Sequence, residues 1–276
     1  MTTPPELVDR QVVAVPGGRL EVFMSGPAPR TLVTTHPFQY FGDDGGPLFR
    51  PLAAHGRAVV VNPRGTGGSS DASHESISLV QLVEDLEAVR RSLGLTTWIV
   101  MGQSMGGCVA LEYALRHPSS ISLLVLSCTT ARGIADEPLS VYHPDNPRHA
   151  TVRAELAAGR SNSVRQLVAH QPHLVADEPS GGISNDRHAA YLTELPTLAH
   201  LSRLEEITVP TLVIGGRHDQ AVPVHHAEEL AKHIKHAELV VFEHSGHFPY
   251  LEEPDRYTST LKQHLNFSPN ESSTAR

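Results

Sequence analysis

The sequence predicts an α/β protein: a mostly parallel central sheet flanked by helices, with a small helical insertion between two late strands. Three observations predict it. Short apolar, β-branched runs alternate with segments whose apolar residues recur at helical spacing, the pattern of parallel strands covered on both faces. The stretch Gly102-Gln103-Ser104-Met105-Gly106 lies between one such run and one such helix. Residues 130–204 then hold many prolines and histidines and no convincing strand, an excursion long enough to need its own fold.

Strand-like runs at 11–15 and 19–24 are joined by Pro16-Gly17-Gly18, whose glycines accept positive φ, so a β-hairpin is expected at one edge of the sheet. Residues 31–35 and 58–62 read as parallel core strands, each ending at a loop with a proline. Over 78–93, Leu79, Leu82, Val83, Leu86, Val89 and Leu93 form one helical stripe. Glu84, Asp85, Arg90 and Arg91 fall off that stripe, and Gly94 supplies the stop. A strand at 98–101 leads into a helix from about 107 to 116, ended by His117-Pro118 because the residue before proline avoids the α region. Strands at 121–126, 211–214 and 239–242 follow, with helices at about 224–236 and 255–266. The resulting division is a core of 1–129 and 205–267, a helical cap inserted at 130–204, and a polar tail at 268–276 expected to be disordered. The cap should contain short helices near 152–158 and 164–170 and a turn at Ser180-Gly181-Gly182.

A chain of 276 residues can bury one large core with an attached piece. With 22 Lys+Arg against 30 Asp+Glu and no basic run, nothing offers a stripe for phosphates, so nucleic acid is not an expected partner. No apolar run approaches the roughly 20 residues that span a bilayer. The N-terminus has neither a basic region nor an apolar core, which leaves a cytoplasmic protein without membrane association as the expectation. Cys108 and Cys128 are too few for a disulfide framework and lie in apolar contexts, so both are expected as buried free thiols. The 18 histidines are scattered without paired metal-ligand spacing, so no metal is expected. His225-His226 and His233/His236 share one helix and read as its solvated face, with an adventitious metal patch as the alternative.

The chemistry centres on Ser104. A G-x-S-x-G turn between strand and helix forces its serine into a strained backbone, and the small flanking residues let neighbouring chain pass. A serine hydroxyl needs a base within reach, and the base needs a third group to fix its tautomer. Candidates follow the two late strands: Gly216-Arg217-His218-Asp219 after the first and Ser245-Gly246-His247 after the second. In open α/β sheets functional loops gather at the carboxyl ends of the strands, so Ser104, Asp219 and His247 can converge. Asp219 could instead cap the next helix, and Asp136, beyond the preceding strand, is an alternative acid.

These motifs, together with His36-Pro37-Phe38, the 62–69 loop Asn-Pro-Arg-Gly-Thr-Gly-Gly-Ser and Glu253-Pro254, stand in an order that resembles the α/β-hydrolase fold family. The resemblance covers most of the chain outside the cap. It implies Ser104 as nucleophile, His247 rather than His244 as base, and Asp219 as orienting acid. Backbone N–H groups of Phe38 and Met105 would form the oxyanion hole. Two departures stand out: the usual His-Gly-x becomes His36-Pro37-Phe38, and Asn62 replaces a common Asp. Pro37 has no N–H, so the donor falls to Phe38. Arg64 belongs to a loop that is usually structural in the family, with contact to a substrate carboxylate as the alternative.

The implied activity is cofactor-free, metal-free hydrolysis of an ester, thioester or lactone of a small molecule. His36, Gln39, Tyr40 and Phe248 are candidate substrate contacts. A prolyl aminopeptidase, a carbon–carbon bond hydrolase and an acyltransferase use the same triad. The first would need cap carboxylates, for which Asp177, Glu178, Asp186 and Glu194 are available. A silent ligand-binding protein is the alternative outside enzymes, and retention of all three triad candidates argues against it. The expected assembly is a monomer or homodimer.

Overall fold

The computed structural model describes residues 9–37, 40–41, 53, 56–70, 78–134, 137–175 and 199–265. Eight strands form one sheet in the order β1-β2-β4-β3-β5-β6-β7-β8. They are β1 (Asp9–Val15), β2 (Gly18–Met24), β3 (Thr31–Thr34), β4 (Arg57–Asn62), β5 (Trp98–Gln103), β6 (Ile121–Ser127), β7 (Thr211–Gly216) and β8 (Ala237–Phe242). The β1/β2 hairpin pairs antiparallel and adds antiparallel to β4, while all pairings from β4 to β8 are parallel. The expected edge hairpin and parallel core are therefore present. Its turn is tighter than expected: Gly18 already pairs with Val15, and Gly17 alone takes a positive φ, 72°.

The helices are α1 (Leu79–Ser92), α2 (Met105–Arg116), α3 (His149–Ala157), α4 (Ser161–Val168), α5 (His225–His233), α6 (Pro249–Glu252) and α7 (Pro254–Leu265). Successive strand residues serve opposite faces, as period-two alternation requires. Val59, Val61 and Val100 pack with α1, α2 and α5, whereas Val60, Ile99 and Met101 pack with α7 and the inserted helices. Each fully buried Val, Ile or Leu contributes about 1.5–3 kcal/mol, and this two-sided burial is what holds the strand ends in register.

Several expectations shift. Ser78, placed at the start of the helical stretch, caps α1 through Gln81 N–H, and Gly94 ends it with φ 67°, the latter as expected. Asp85, however, is buried rather than lying off the stripe, because Arg64 descends onto it. Helix α5 stops at His233, three residues early, and His226 on it is 1% exposed rather than on a solvated face. Between β6 and β7 the described residues form α3, α4 and short 3-10 turns, with a single isolated bridge, Arg132 to Ala199. The turn at Ser180 and the carboxylates Asp177, Glu178, Asp186 and Glu194 lie outside the described residues, as do Asp136 and the 268–276 tail. Cys108 and Cys128 are free and buried. Among the described residues no helix is long and apolar enough to cross a membrane.

Candidate active site

The nucleophile position is built by the junction of β5 and α2. Ser104 has φ 52° and ψ −124°, a conformation that costs a non-glycine residue about 1–3 kcal/mol. Its neighbours have to be small: a Cβ on Gly102 would sit 2.2 Å from Gly106 O, and one on Gly106 would sit 2.6 Å from Thr35 O. Three hydrogen bonds over-determine the turn. Ser104 N–H donates to Ser127 O at 2.9 Å, while Ser104 O accepts from Gly107 N–H at 2.9 Å and Thr129 Oγ1 at 2.6 Å.

The carboxyl ends of the parallel strands bring the other two residues to the same edge. His247 Nδ1 lies 2.8 Å from Asp219 Oδ2, with both side chains buried. The other oxygen of Asp219 accepts the N–H groups of Ala221 and Val222 at 2.8 and 2.9 Å. An Asx-turn and an acid–base pair are thus not rivals here, since one oxygen serves each. His244 is exposed, and the ring paired with Asp219 is that of His247.

Backbone bonds carry the alignment across the strand ends. Ser104 N–H reaches β6 at Ser127 O, Cys128 N–H reaches β7 at Ile214 O (2.8 Å), and His218 N–H reaches the β8 loop at Ser245 O (3.0 Å). Gly216 makes the last crossing close, since a Cβ there would meet Gly246 O at 1.9 Å. Cys128 has φ 48° and lies behind the pair, its sulfur within 4.8 Å of ligand-capable atoms of Asp219 and His247. Burial, then the Asp219 charge, pushes the Cys128 thiol well up, so it stays protonated and offers no metal-binding thiolate.

Two positioning residues were not anticipated. Gln103 Nε2 donates to His247 O at 3.1 Å. Glu252, 5% exposed on α6, divides its carboxylate: Oε1 accepts His170 and Gln171 N–H, both at 2.7 Å, and Oε2 accepts Gly246 and Phe248 N–H at 2.9 and 3.2 Å. His247 N–H itself donates to Val168 O at 3.2 Å, so the end of α4 and the His247 loop are one hydrogen-bonded unit. The Glu252-Glu253-Pro254 run after Ser-Gly-His was the available signal.

Of the other expected site residues, Met105 opens α2, where first-turn N–H groups lack intrahelical acceptors. Phe38 and Gln39 lie outside the described residues. His36 is half-buried, with its ring carbon Cδ2 3.5 Å from the Cβ position of Gly106, so the β3 exit runs beside the nucleophile turn. Tyr40 is half-buried against Gly67. Phe248 is 4% exposed, edge-on to His247 at 5.1 Å with Arg165 over its ring, a packing position against the imidazole.

In the 62–69 loop, Arg64 and the departure Asn62 both have structural partners. Arg64 is 4% exposed; its Nε and Nη2 grip both oxygens of Asp85 at 2.7 and 2.8 Å, and the guanidinium also donates to Pro16 and Gly17 carbonyls. Asn62 donates to Glu21 at 2.8 Å and accepts Phe41 N–H at 3.1 Å. All three Arg64 nitrogens are thus engaged within the protein rather than presented to a substrate.

Residues 12–260 match the family model described as the alpha/beta hydrolase family. The chain is similar to the pimeloyl-acyl-carrier-protein methyl ester esterase of Vibrio atlanticus, 29% identical over 225 residues that cover 76% of this chain and 84% of that protein. It is similar to the proline iminopeptidase of Heyndrickxia coagulans, 28% identical over 239 residues, covering 77% and 83%. An alpha/beta fold family hydrolase from Bacillus anthracis superposes with a TM-score of 0.85 at 24% identity, covering 92% of this chain and 98% of that one.

Proposed function

The chain belongs to the α/β hydrolase family and is a hydrolase of that fold, and on that premise we propose that it is a serine hydrolase cleaving an ester, thioester or lactone of a small molecule. The observation that carries the reading is the 2.8 Å contact of His247 Nδ1 with Asp219 Oδ2 at the strand edge that also bears the strained Ser104. A carboxylate on Nδ1 holds the imidazole with Nε2 unprotonated, the form that accepts a serine proton.

In the proposed cycle Ser104 Oγ attacks the acyl carbonyl as its proton passes to His247 Nε2. Asp219 stabilises the imidazolium, and the N–H groups of Met105 and Phe38 receive the oxyanion. Collapse of the tetrahedral intermediate breaks the bond to the leaving group, which takes the proton back from His247. Water then attacks the acyl-Ser104, gives a proton to His247, and the acid leaves as Ser104 is reprotonated. The insertion between β6 and β7 acts as a cap over this edge, with His36 and Tyr40 along the acyl path. The similar methyl ester esterase supports an ester carbonyl, and the similar proline iminopeptidase keeps a prolyl amide as the second reading.

Stoichiometric labelling by a fluorophosphonate, read by intact mass, tests the proposal. Labelling of the wild type that Ser104→Ala and His247→Ala abolish supports it, and a panel of esters, thioesters, lactones and prolyl amides then fixes the class. Folded wild type that takes no label, or label that persists in Ser104→Ala, overturns it.

A further inference from the structure

We propose a second site, a divalent transition-metal site of the zinc class formed by Glu137, His225 and His226, outside the hydrolytic centre and independent of it. The three residues come from the segment after β6 and the first turn of α5, and their ligand-capable atoms all lie within 4.8 Å of one another.

His226 carries the inference. Its side chain is fully buried, and its Nε2 has no hydrogen-bond partner among the described residues. Its Nδ1 lies 3.0 Å from Thr130 Oγ1. That hydroxyl accepts Arg132 N–H at 3.2 Å and has one proton of its own to give, with Arg132 O at 3.1 Å and His226 Nδ1 both in reach. With that proton on Arg132 O, Nδ1 carries the imidazole proton and Nε2 presents a bare lone pair, the tautomer that a bound cation would select. What it faces, at 3.4 Å, is Glu137 Oε2. Two electron pairs pointed at each other in a buried place repel, and a cation between them removes the conflict.

The remaining geometry agrees. His225 Nε2 lies 2.9 Å from the same Glu137 oxygen. Donor atoms around a tetrahedral zinc with bonds near 2.0–2.1 Å stand about 3.3 Å apart, so the two separations bracket that edge. The outer contacts are those that orient metal ligands: His226 Nδ1–H on Thr130, and Glu137 Oε1 accepting Leu139 N–H at 3.1 Å. Arg132 also faces the cluster, bonded to Glu229 and 3.8 Å from Glu137, so two carboxylates stand against one fixed cation and room for positive charge remains.

The site would clip the chain next to the acid of the triad. Ser140 Oγ donates to Ala221 O at 2.7 Å and Val141 N–H to Gln220 O at 2.8 Å, so the segment carrying Glu137 already lies on the loop that carries Asp219. A bound ion would add a third link to α5.

Full-length, tag-free protein stripped with chelator is titrated with Zn²⁺ by calorimetry, and with Co²⁺ for its visible spectrum. The expected result is one zinc per chain, a four-coordinate Co²⁺ band displaced by zinc, and a raised Tm. His225→Ala and Glu137→Gln should each weaken zinc by about 100-fold or more, and Thr130→Val, which frees the His226 tautomer, by about 10-fold. His233→Ala should change nothing. Absence of a one-equivalent site in the wild type, or binding that survives both His225→Ala and Glu137→Gln, overturns the proposal. If His225→Ala fails to fold, Glu137→Gln and Thr130→Val decide it by the same readouts.

Discussion

Gln103 donates its side-chain amide to the backbone carbonyl of His247 at 3.1 Å, across 144 positions of sequence. The residue before Ser104 thus holds the histidine to which the proposed mechanism gives the serine proton. Gln103 is 6% exposed, so this bond is made without competition from water.

Gln103→Leu fills the same volume without a donor and leaves a buried carbonyl unpaired, a loss of about 1–3 kcal/mol. We expect Tm to fall and fluorophosphonate labelling of Ser104 to slow by about 10-fold, since His247 drifts while the turn persists. Labelling kinetics on folded protein check this, and an unchanged rate would confine Gln103 to packing.

Asp219→Asn keeps an oxygen for the Ala221 and Val222 amides but can present an NH₂ group to His247 Nδ1. The imidazole then favours the wrong tautomer, and turnover should drop by about 10⁴-fold, as in a comparable triad. Steady-state hydrolysis of whichever ester the panel selects provides the measurement.

Arg64→Met should destabilise by about 3–5 kcal/mol, because it strands the buried Asp85 carboxylate. The folded fraction should still label at the wild-type rate. Urea unfolding alongside labelling separates the effects, and adding Asp85→Leu should recover much of the stability. A large rise in KM with stability intact would instead point to a substrate-carboxylate role.

Glu112 accepts from His200 at 2.9 Å and from Arg116, and this holds its pKa down at about 2. A carboxyl depressed in the folded state stabilises above its unfolded pKa, near 4.3, and that stability is lost as pH falls toward 2. Glu112→Gln should therefore cost about 1 kcal/mol at neutral pH, after solvent screening, and flatten Tm against pH between about 4.5 and 2. Calorimetry over that range gives the slope.

Much of this was legible because local sequence has to satisfy local sterics. The elbow shows in Gly102 and Gly106, where nothing larger fits, and Asp219 and His247 follow strands whose ends they must occupy. The strand ends themselves were less legible. Gly215-Gly216 reads as a turn, yet both pair with Val241 and Phe242, because neighbouring strands carry the ladder two residues further. Charges buried by a distant partner left no local mark: Asp85 depends on Arg64, and Glu252 on amides at 170 and 171 that only the tertiary fold delivers. His226 likewise sits in a helix whose burial depends on what packs above it.

Glu252 joins two parts of the chain usually considered exchangeable. Replacing the insertion with that of a relative is an obvious way to change what such an enzyme accepts. Here the graft would have to deliver two consecutive free amides where His170 and Gln171 stand, and a carbonyl where Val168 stands. A donor segment lacking them would leave one oxygen of Glu252 bare and loosen the loop under His247. New selectivity is therefore more readily reached by editing residues around this junction than by transplanting the whole segment.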